Sequence, residues 1–330
     1  MGVRVFHIPI LLITFNRPEH TRRVLESILA AQPEDLYVFQ DGAREGNEND
    51  ASKCVEVRLV VADMTHGTNV RLHTLFSDTN LGCGPGPVTG ITWFFNQVEQ
   101  GIVMEDDCLP HPDFFGYCEE LLEKYKDVEE VQFINAALYD DRWQCEHSYD
   151  FSRYQVAGAW ASWRRFWVNY DIDLKTVDAK VFYGKCKKLL YERAEADWWY
   201  FKLLEIQKDK AKKSYWDYQC LIVLLLNSGI TIMPRKNLIS NIGFDGEGTH
   251  TLENDGRGDR STYPILPLHH PSEIVVDKAR DSKCFAKVHS RGFFRDRLIF
   301  LYKSLSNAEG LSLKTLQLYK KVKSYFFRKR

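Results

Sequence analysis

Residues Gly101-Ile102-Val103-Met104-Glu105-Asp106-Asp107 constrain the chain more than any other stretch: an apolar run ends in three consecutive carboxylates, with Pro110 and Pro112 just beyond. A run so short and so apolar, closed by proline, has the pattern of a strand buried on both faces. It would deliver negative charge to its C-terminal end, the edge at which open α/β sheets bind ligands. Side chains alternate along a strand, so Glu105 and Asp107 are expected on one side and Asp106 on the other. Adjacent carboxylates repel. A hard divalent cation is one way to keep them ionised, and a solvated acidic turn is the other.

The surrounding sequence supplies the rest of such a sheet. Ile8 to Thr14 is a second apolar run, and Glu19 to Ala31 after it places Val24, Leu25, Ile28 and Leu29 at helical spacing. Leu36 to Gly42 repeats the strand signal and ends in Gln40-Asp41-Gly42, which completes a βαβ unit with a right-handed crossover. Further along, the spacing predicts helices over 54–65, 88–100 and 113–125 and strands over 70–76 and 131–136. Residues 137–155 read as a long connection, 171–213 as charged and helical, and 215–227 as an apolar helix stopped by Gly229. Two short strands, 230–233 and 238–242, follow, and 253–290 has the look of a segment wrapping the surface. The fold class expected is α/β, an open and mainly parallel sheet flanked by helices.

Composition removes several function classes. With 44% hydrophobic residues among 330, a large core is available, and a net charge of -1 gives no chain-wide attraction for nucleic acid, so no nucleic-acid partner is expected. The eight cysteines form no C-x-x-C pair and the histidines no H-E-x-x-H, which leaves no zinc motif and no disulfide framework and points to a cytoplasmic protein. Ile8–Ile13 and Leu221–Leu226 are too short to cross a bilayer. From Leu311 to Arg330 there are seven Lys or Arg and no acid, interleaved with Leu318, Val322, Tyr325 and Phe326. That tail reads either as an amphipathic helix resting peripherally on the anionic inner face of a membrane or as a solvated final helix.

Three other stretches have a composition suited to ligands. Asp78-Thr79-Asn80-Leu81-Gly82-Cys83-Gly84-Pro85-Gly86-Pro87 is rich in glycine and proline but is not the G-x-G-x-x-G fingerprint, so a dinucleotide is not expected there. It still permits close approach of backbone to a nucleotide. Gly158 to Trp167 holds Trp160, Trp163, Trp167, Arg164 and Arg165, which suits a sugar- or phosphate-binding surface and equally the buried stripe of a helix. Gly243 to His250 is a glycine-rich loop of the kind that closes over ligands.

In their order, Thr14-Phe15-Asn16-Arg17, Gln40-Asp41-Gly42, Glu105-Asp106-Asp107 with Pro112-Asp113-Phe114-Phe115, Tyr215-Trp216-Asp217 and the Gly243–His250 loop resemble the GT-A nucleotide-sugar glycosyltransferases. The similarity is to the N-acetylglucosaminyltransferase I group and to bacterial family 2-type enzymes, and it covers roughly residues 8–251. The resemblance implies a GT-A catalytic domain over 1–252, with a nucleotide-sugar half to about 110 and an acceptor half beyond it, then a C-terminal wrapping segment and basic helix over 253–330. It further implies that Thr14, Asn16, Arg17, Asp41, Asn80 and Gly82 line the nucleotide, with Asp41 reaching the uracil. Glu105 and Asp106 would contact ribose and donor sugar, and Asp107 would ligate Mn²⁺ or Mg²⁺. Trp160 and Trp216 would line the sugar pocket, Thr249 and His250 would close over the diphosphate, and Asp217 would be the catalytic base. The animal enzymes carry a His- and Arg-rich segment before the acidic strand, where this chain has Gly82 to Pro87.

The chemistry so implied is metal-dependent, inverting transfer from a UDP-sugar, UDP-GlcNAc among the candidates, to a glycan or lipid-linked glycan in surface polysaccharide synthesis. Charge on the departing diphosphate needs neutralising, and a base must take the proton of the acceptor hydroxyl. Asp217 also sits where an apolar helix begins, so a helix N-cap is its other reading, and Asp245 and Glu247 are reserve bases. Two further functions are compatible with the same motifs: a sugar nucleotidyltransferase, which would release pyrophosphate, and a non-catalytic nucleotide-sugar-binding protein.

Overall fold

The structure, a computed structural model, describes residues 6–138, 145–156, 158–208, 215–244 and 258–288. The first half runs β1 (Ile10–Thr14), α1 (Pro18–Ala30), β2 (Asp35–Gln40), α2 (Glu48–Thr65), β3 (Arg71–Phe76), α3 (Pro85–Phe95) and β4 (Gln100–Glu105). The second runs β5 (Cys108–Pro110), α4 (Asp113–Lys124), β6 (Val131–Asn135), β7 (Tyr149–Ser152), β8 (Ala159–Trp163), α5 (Arg164–Trp167), α6 (Ala179–Leu189), α7 (Arg193–Lys208), α8 (Asp217–Leu226), β9 (Ile230–Pro234), β10 (Ile239–Asn241) and α9 (Lys278–Val288).

Eight of these strands form one sheet in the order β3-β2-β1-β4-β8-β6-β9-β7. β3, β2, β1 and β4 are mutually parallel, β8 lies antiparallel between β4 and β6, β9 is parallel to β6, and β7 closes the far edge antiparallel. The expected class, an open and mainly parallel α/β sheet flanked by helices, is the observed one. Every residue of β1 is buried, because helices cover both faces of the sheet. One core, with Ile10, Leu12, Val24 and Leu25, lies beneath α1 and α2, and the other, with Leu11, Phe39, Phe94 and Trp160, beneath α3 and α8. Burying each such Leu or Ile stabilises by about 1.5–3 kcal/mol.

Differences from expectation have local causes. α2 begins at Glu48 because the Asn47 side chain accepts the Asp50 N–H and caps it. α3 begins at Pro85, where a missing N–H costs nothing, and ends at Phe95, which frees Gln100 to open β4. Residues 158–167 are not one helix: Ala159–Trp163 is a strand, paired in register with β4 (Met104 to Ala159, Gln100 to Trp163). Residues 137–155 contain β7, and 253–290 contain α9, which Phe285 and Asp281 bury against the body. The expected tail helix over 311–330, with its membrane contact, lies outside the described residues. Among the described residues no helix is long and apolar enough to cross a membrane.

Candidate functional site

The strand order defines a switch point. From β1 the chain moves outward to β2 and β3, then returns to place β4 on the other side of β1, so the crevice above the C-terminal ends of β1 and β4 is a natural ligand position. Arg17 follows β1 into this crevice, and Glu105, Asp106 and Asp107 close β4 beside it. The guanidinium bonds Asp106 Oδ1 and, at 3.2 Å, Asp107 Oδ2. The expected alternation therefore fails beyond Glu105: β4 ends there, Asp106 and Asp107 turn into β5, and both meet one Arg.

Charge in this turn is strongly perturbed. Burial, then repulsion from Asp107, pushes the Glu105 carboxyl up to about 8; Arg17 opposes the rise, and Asp106 and Asp217 add to it. Asp106 is 2% exposed and likewise raised by burial against the pull of Arg17, and its Oδ2 has no hydrogen-bond partner. Burial works against the charge on Arg17, but Asp106 and Asp107 together outweigh it and raise the pKa of the guanidinium above its usual value. Asp107 keeps some exposure and accepts the Cys108 thiol on Oδ1 at 3.3 Å.

The β5–β10 ribbon roofs this turn. Ile242 N–H donates to the Asp107 carbonyl at 2.8 Å, and the Ile242 carbonyl lies 3.1 Å from His20 Nε2. A Cβ on Gly243 would stand 2.6 Å from Asp107 Oδ2 and 3.0 Å from Arg17 Nη1, so only glycine lets this backbone approach. The rest of the Gly243–His250 loop, including Thr249, His250 and the reserve bases Asp245 and Glu247, lies outside the described residues from 245 onward.

Asp217 reaches the same edge from the second half of the sheet. Glu105 N–H donates to the Gly158 carbonyl, Gln155 from the same segment donates to the Asp217 carbonyl at 3.0 Å, and the Asp217 carboxylate is near enough to repel that of Glu105. Its N-cap reading is corrected: Trp216 occupies the N-cap, and Asp217 is the first residue of α8, where a negative charge suits the helix dipole.

Other expected contact residues do different work. Asp41 does not reach outward. Its carboxylate accepts Gly42 N–H (2.9 Å), Leu81 N–H (2.8 Å), Gly82 N–H (3.0 Å) and the Asn80 amide (3.2 Å), which locks the loop after β3 onto the end of β2. Burial raises its pKa and the three N–H groups hold the rise back. Asn80 also bonds the Gly42 carbonyl, and a Cβ on Gly42 would collide with Thr79 backbone at 2.5 Å. Thr14 is buried and donates to the Phe39 carbonyl. Trp160 is corrected to a core residue: it is fully buried and stacked on Phe133 at 4.7 Å between ring centroids, so it presents no face to a sugar. Trp216 is 6% exposed and packs against Trp160.

Asn16 leads to a cluster that sequence reasoning missed. Its amide donates to Asp50 Oδ1 at 2.8 Å, and Arg44 holds the same carboxylate through Nε (2.5 Å) and Nη2 (2.8 Å), with its guanidinium over the Phe15 ring. The Arg44 hydrogen bond keeps Asp50 below the usual carboxylate range despite burial. The spacing of Asn47 and Asp50 at a helix start was the available signal.

Among the described residues no three His, Cys, Asp or Glu converge as a metal cage. A phosphate-bridging Mg²⁺ or Mn²⁺ does not need one, since it takes one or two carboxylates and fills its shell with water and phosphate oxygens. Asp107 with the unpartnered Asp106 Oδ2 fits that donor set.

At the level of class, then, the chain has an open α/β sheet with an acidic switch-point crevice. No family model matches it, and no curated protein is similar in sequence. Solved structures that resemble it include apo UDP-glucose pyrophosphorylase (10% identity, 71% of this chain and 93% of that one, TM-score 0.36) and HddC from Yersinia pseudotuberculosis (9%, 49% and 80%, TM-score 0.31). A third is 4-diphosphocytidyl-2C-methyl-D-erythritol synthase from Anaerococcus prevotii (9%, 67% and 95%, TM-score 0.29). Likeness this slight carries no argument about activity.

Proposed function

We propose that the chain works on a nucleotide sugar at the β1/β4 crevice, and that the reaction is metal-dependent, inverting transfer of the sugar from a UDP-sugar to a glycan hydroxyl. The observation that supports this reading is the meeting of Arg17, Glu105, Asp106 and Asp107 at the switch point, with Asp217 within electrostatic reach from the opposite half of the sheet. In this reading Asp107, with Asp106 beside it, holds the cation, which when bound neutralises charge on the diphosphate. Asp217 takes the acceptor proton, a role commonly worth about 10²–10⁴-fold. Arg17, already between the two carboxylates, orients them and adds positive charge at the crevice. Asp41 acts one step back, by holding the loop 78–84 that borders the nucleotide.

The second reading is a sugar nucleotidyltransferase, whose chemistry would use the same acidic crevice at the ends of β1 and β4. Against it, the Gly82–Pro87 loop carries no Arg or Lys to set against a triphosphate.

Product analysis separates the two. Incubation with UDP-sugars, Mn²⁺ and a panel of glycan acceptors is expected to release UDP, and Asp217→Asn to retain donor binding while losing turnover. Asp107→Ala is expected to abolish the metal-dependent rise in melting temperature caused by donor. Pyrophosphate released from UTP and a sugar phosphate, with no UDP from any sugar nucleotide, overturns glycosyl transfer. Donor binding with neither product points to a binding protein.

A further inference from the structure

Asp217 opens α8 without help from a capping side chain. The N-cap is Trp216, whose indole carries no acceptor for the N–H groups of the first turn. An uncapped first turn is prone to fray, and the carboxylate on its first residue would move with it. The fold grips the backbone carbonyls there instead. Gln219 Nε2 donates to the Tyr215 carbonyl at 3.0 Å, the Tyr170 hydroxyl to the Trp216 carbonyl at 3.1 Å, and Gln155 Nε2 to the Asp217 carbonyl at 3.0 Å. The Trp216 carbonyl already accepts Cys220 N–H, the first helical bond of α8, so the Tyr170 hydroxyl takes its second lone pair and is not needed to form the helix.

The donors are themselves fixed. Tyr170 stacks on Trp167 at 4.3 Å between ring centroids, and Trp167 donates through Nε1 to Thr92. Burial, then Cys220 and Asp217, raise the Tyr170 hydroxyl well above its ordinary pKa, so it stays a donor at any working pH. Gln155 is buried between Tyr154 and Val156, and buried Asn135 at the end of β6 bonds both the Tyr154 carbonyl and the Val156 N–H. Three residues beyond Gln155, the Gly158 carbonyl accepts Glu105 N–H. One short segment therefore bonds the acidic tip of β4 at one end and the start of α8 at the other.

We propose that Gln155 and Tyr170 are positioning residues, which through the Asp217 and Trp216 carbonyls hold the Asp217 carboxylate in one orientation beside the β4 tip, a role that rests on the glycosyl-transfer reading of Asp217 given above. Both act on the backbone of the base and neither is asked to touch donor or acceptor. Misplacing a reacting group by about 1 Å can cost about 10²-fold in rate. The loss should therefore fall on kcat and spare the donor KM.

Tyr170→Phe removes only the hydroxyl and keeps the ring on Trp167, and Gln155→Leu replaces the donor with an apolar side chain of similar size. The full-length parent and both variants are compared in two ways: hydrogen exchange at the Cys220 and Leu221 amides, and steady-state release of UDP with Mn²⁺ and a glycan acceptor. The donor is UDP-GlcNAc, or whichever of the UDP-sugars above the parent turns over. Each variant is expected to speed exchange at these amides by roughly fivefold. Each is also expected to lower kcat by roughly tenfold or more while donor KM changes by less than about twofold. Where the parent turns over, a residue whose replacement leaves kcat intact, moves only KM, or leaves exchange at α8 unchanged does not position the base, and the glycosyl-transfer reading stands without it. A parent that releases no UDP from any sugar nucleotide overturns that reading, and this role with it. Should Gln155→Leu fail to fold, Tyr170→Phe decides alone.

Discussion

Glu105→Gln gives the sharpest test of the electrostatics at the β4 tip. The native carboxyl is pushed from 4.5 to about 8, chiefly by burial and then by Asp107. At 1.36 kcal/mol for each pH unit, that interval sets a ceiling of about 5 kcal/mol on the destabilisation caused by ionising Glu105 in the folded chain. The sign follows from proton counting. Below pH 4.5 both states hold the proton and the penalty is absent. Between 4.5 and about 8 the unfolded chain releases it while the native chain retains it, so stability falls as pH rises; above 8 the penalty is constant. Glutamine keeps the shape and removes the titration. Urea unfolding of both proteins in metal-free buffer at pH 4.5, 6.5 and 8.5 is therefore expected to show the variant gaining on the parent by a few kcal/mol across the series. A difference that is flat with pH, or one that shrinks as pH rises, refutes the placement of Glu105 among Asp106, Asp107 and Asp217.

Two further substitutions separate holding from binding. Asp41→Ala is expected to cost about 3 kcal/mol or more in urea unfolding, because Leu81 and Gly82 N–H groups lose a buried charged acceptor; unchanged stability with weaker donor binding would return Asp41 to the uracil. Trp160→Ala is expected to cost about 3–5 kcal/mol as a core truncation. A full-stability variant with impaired sugar binding would contradict its burial.

The sequence carried the alternation of strand and helix through β4 because β1, β2 and β4 are largely apolar runs, β3 keeps an imperfect alternation, and α1 has one clear buried face. It could not carry the pairing of β8 with β4. Trp160, Trp163 and Trp167 mimic a helical stripe, and only a partner strand far along the chain makes Ala159–Trp163 extended. In the same way, the three acids were legible as a charged strand end, but their facing was not, since the turn after Glu105 depends on contacts with Arg17 and Gly243. Asp41 has the residue type of a ligand contact, and its four donors arrive from its own neighbourhood and from a loop about forty residues later. Asp50 escaped notice because a buried carboxylate on a helix is visible only once Arg44 and Asn16 are seen around it.

The strand that carries the acids has its two neighbours far apart in the chain: Ile10 lies beside Ile102 on one side, and Ala159 beside Met104 on the other. Ile242 then has to arrive to bond Asp107. A chain that ended at β7 would lack both the β8 partner of β4 and the Ile242 N–H that bonds the Asp107 carbonyl. Loop closure over such distances is slow relative to local helix formation. The crevice is therefore complete only when a strand from each side and the segment carrying Ile242 have docked, and, in the reading proposed above, a chain truncated before them would lack part of the setting that holds the cation.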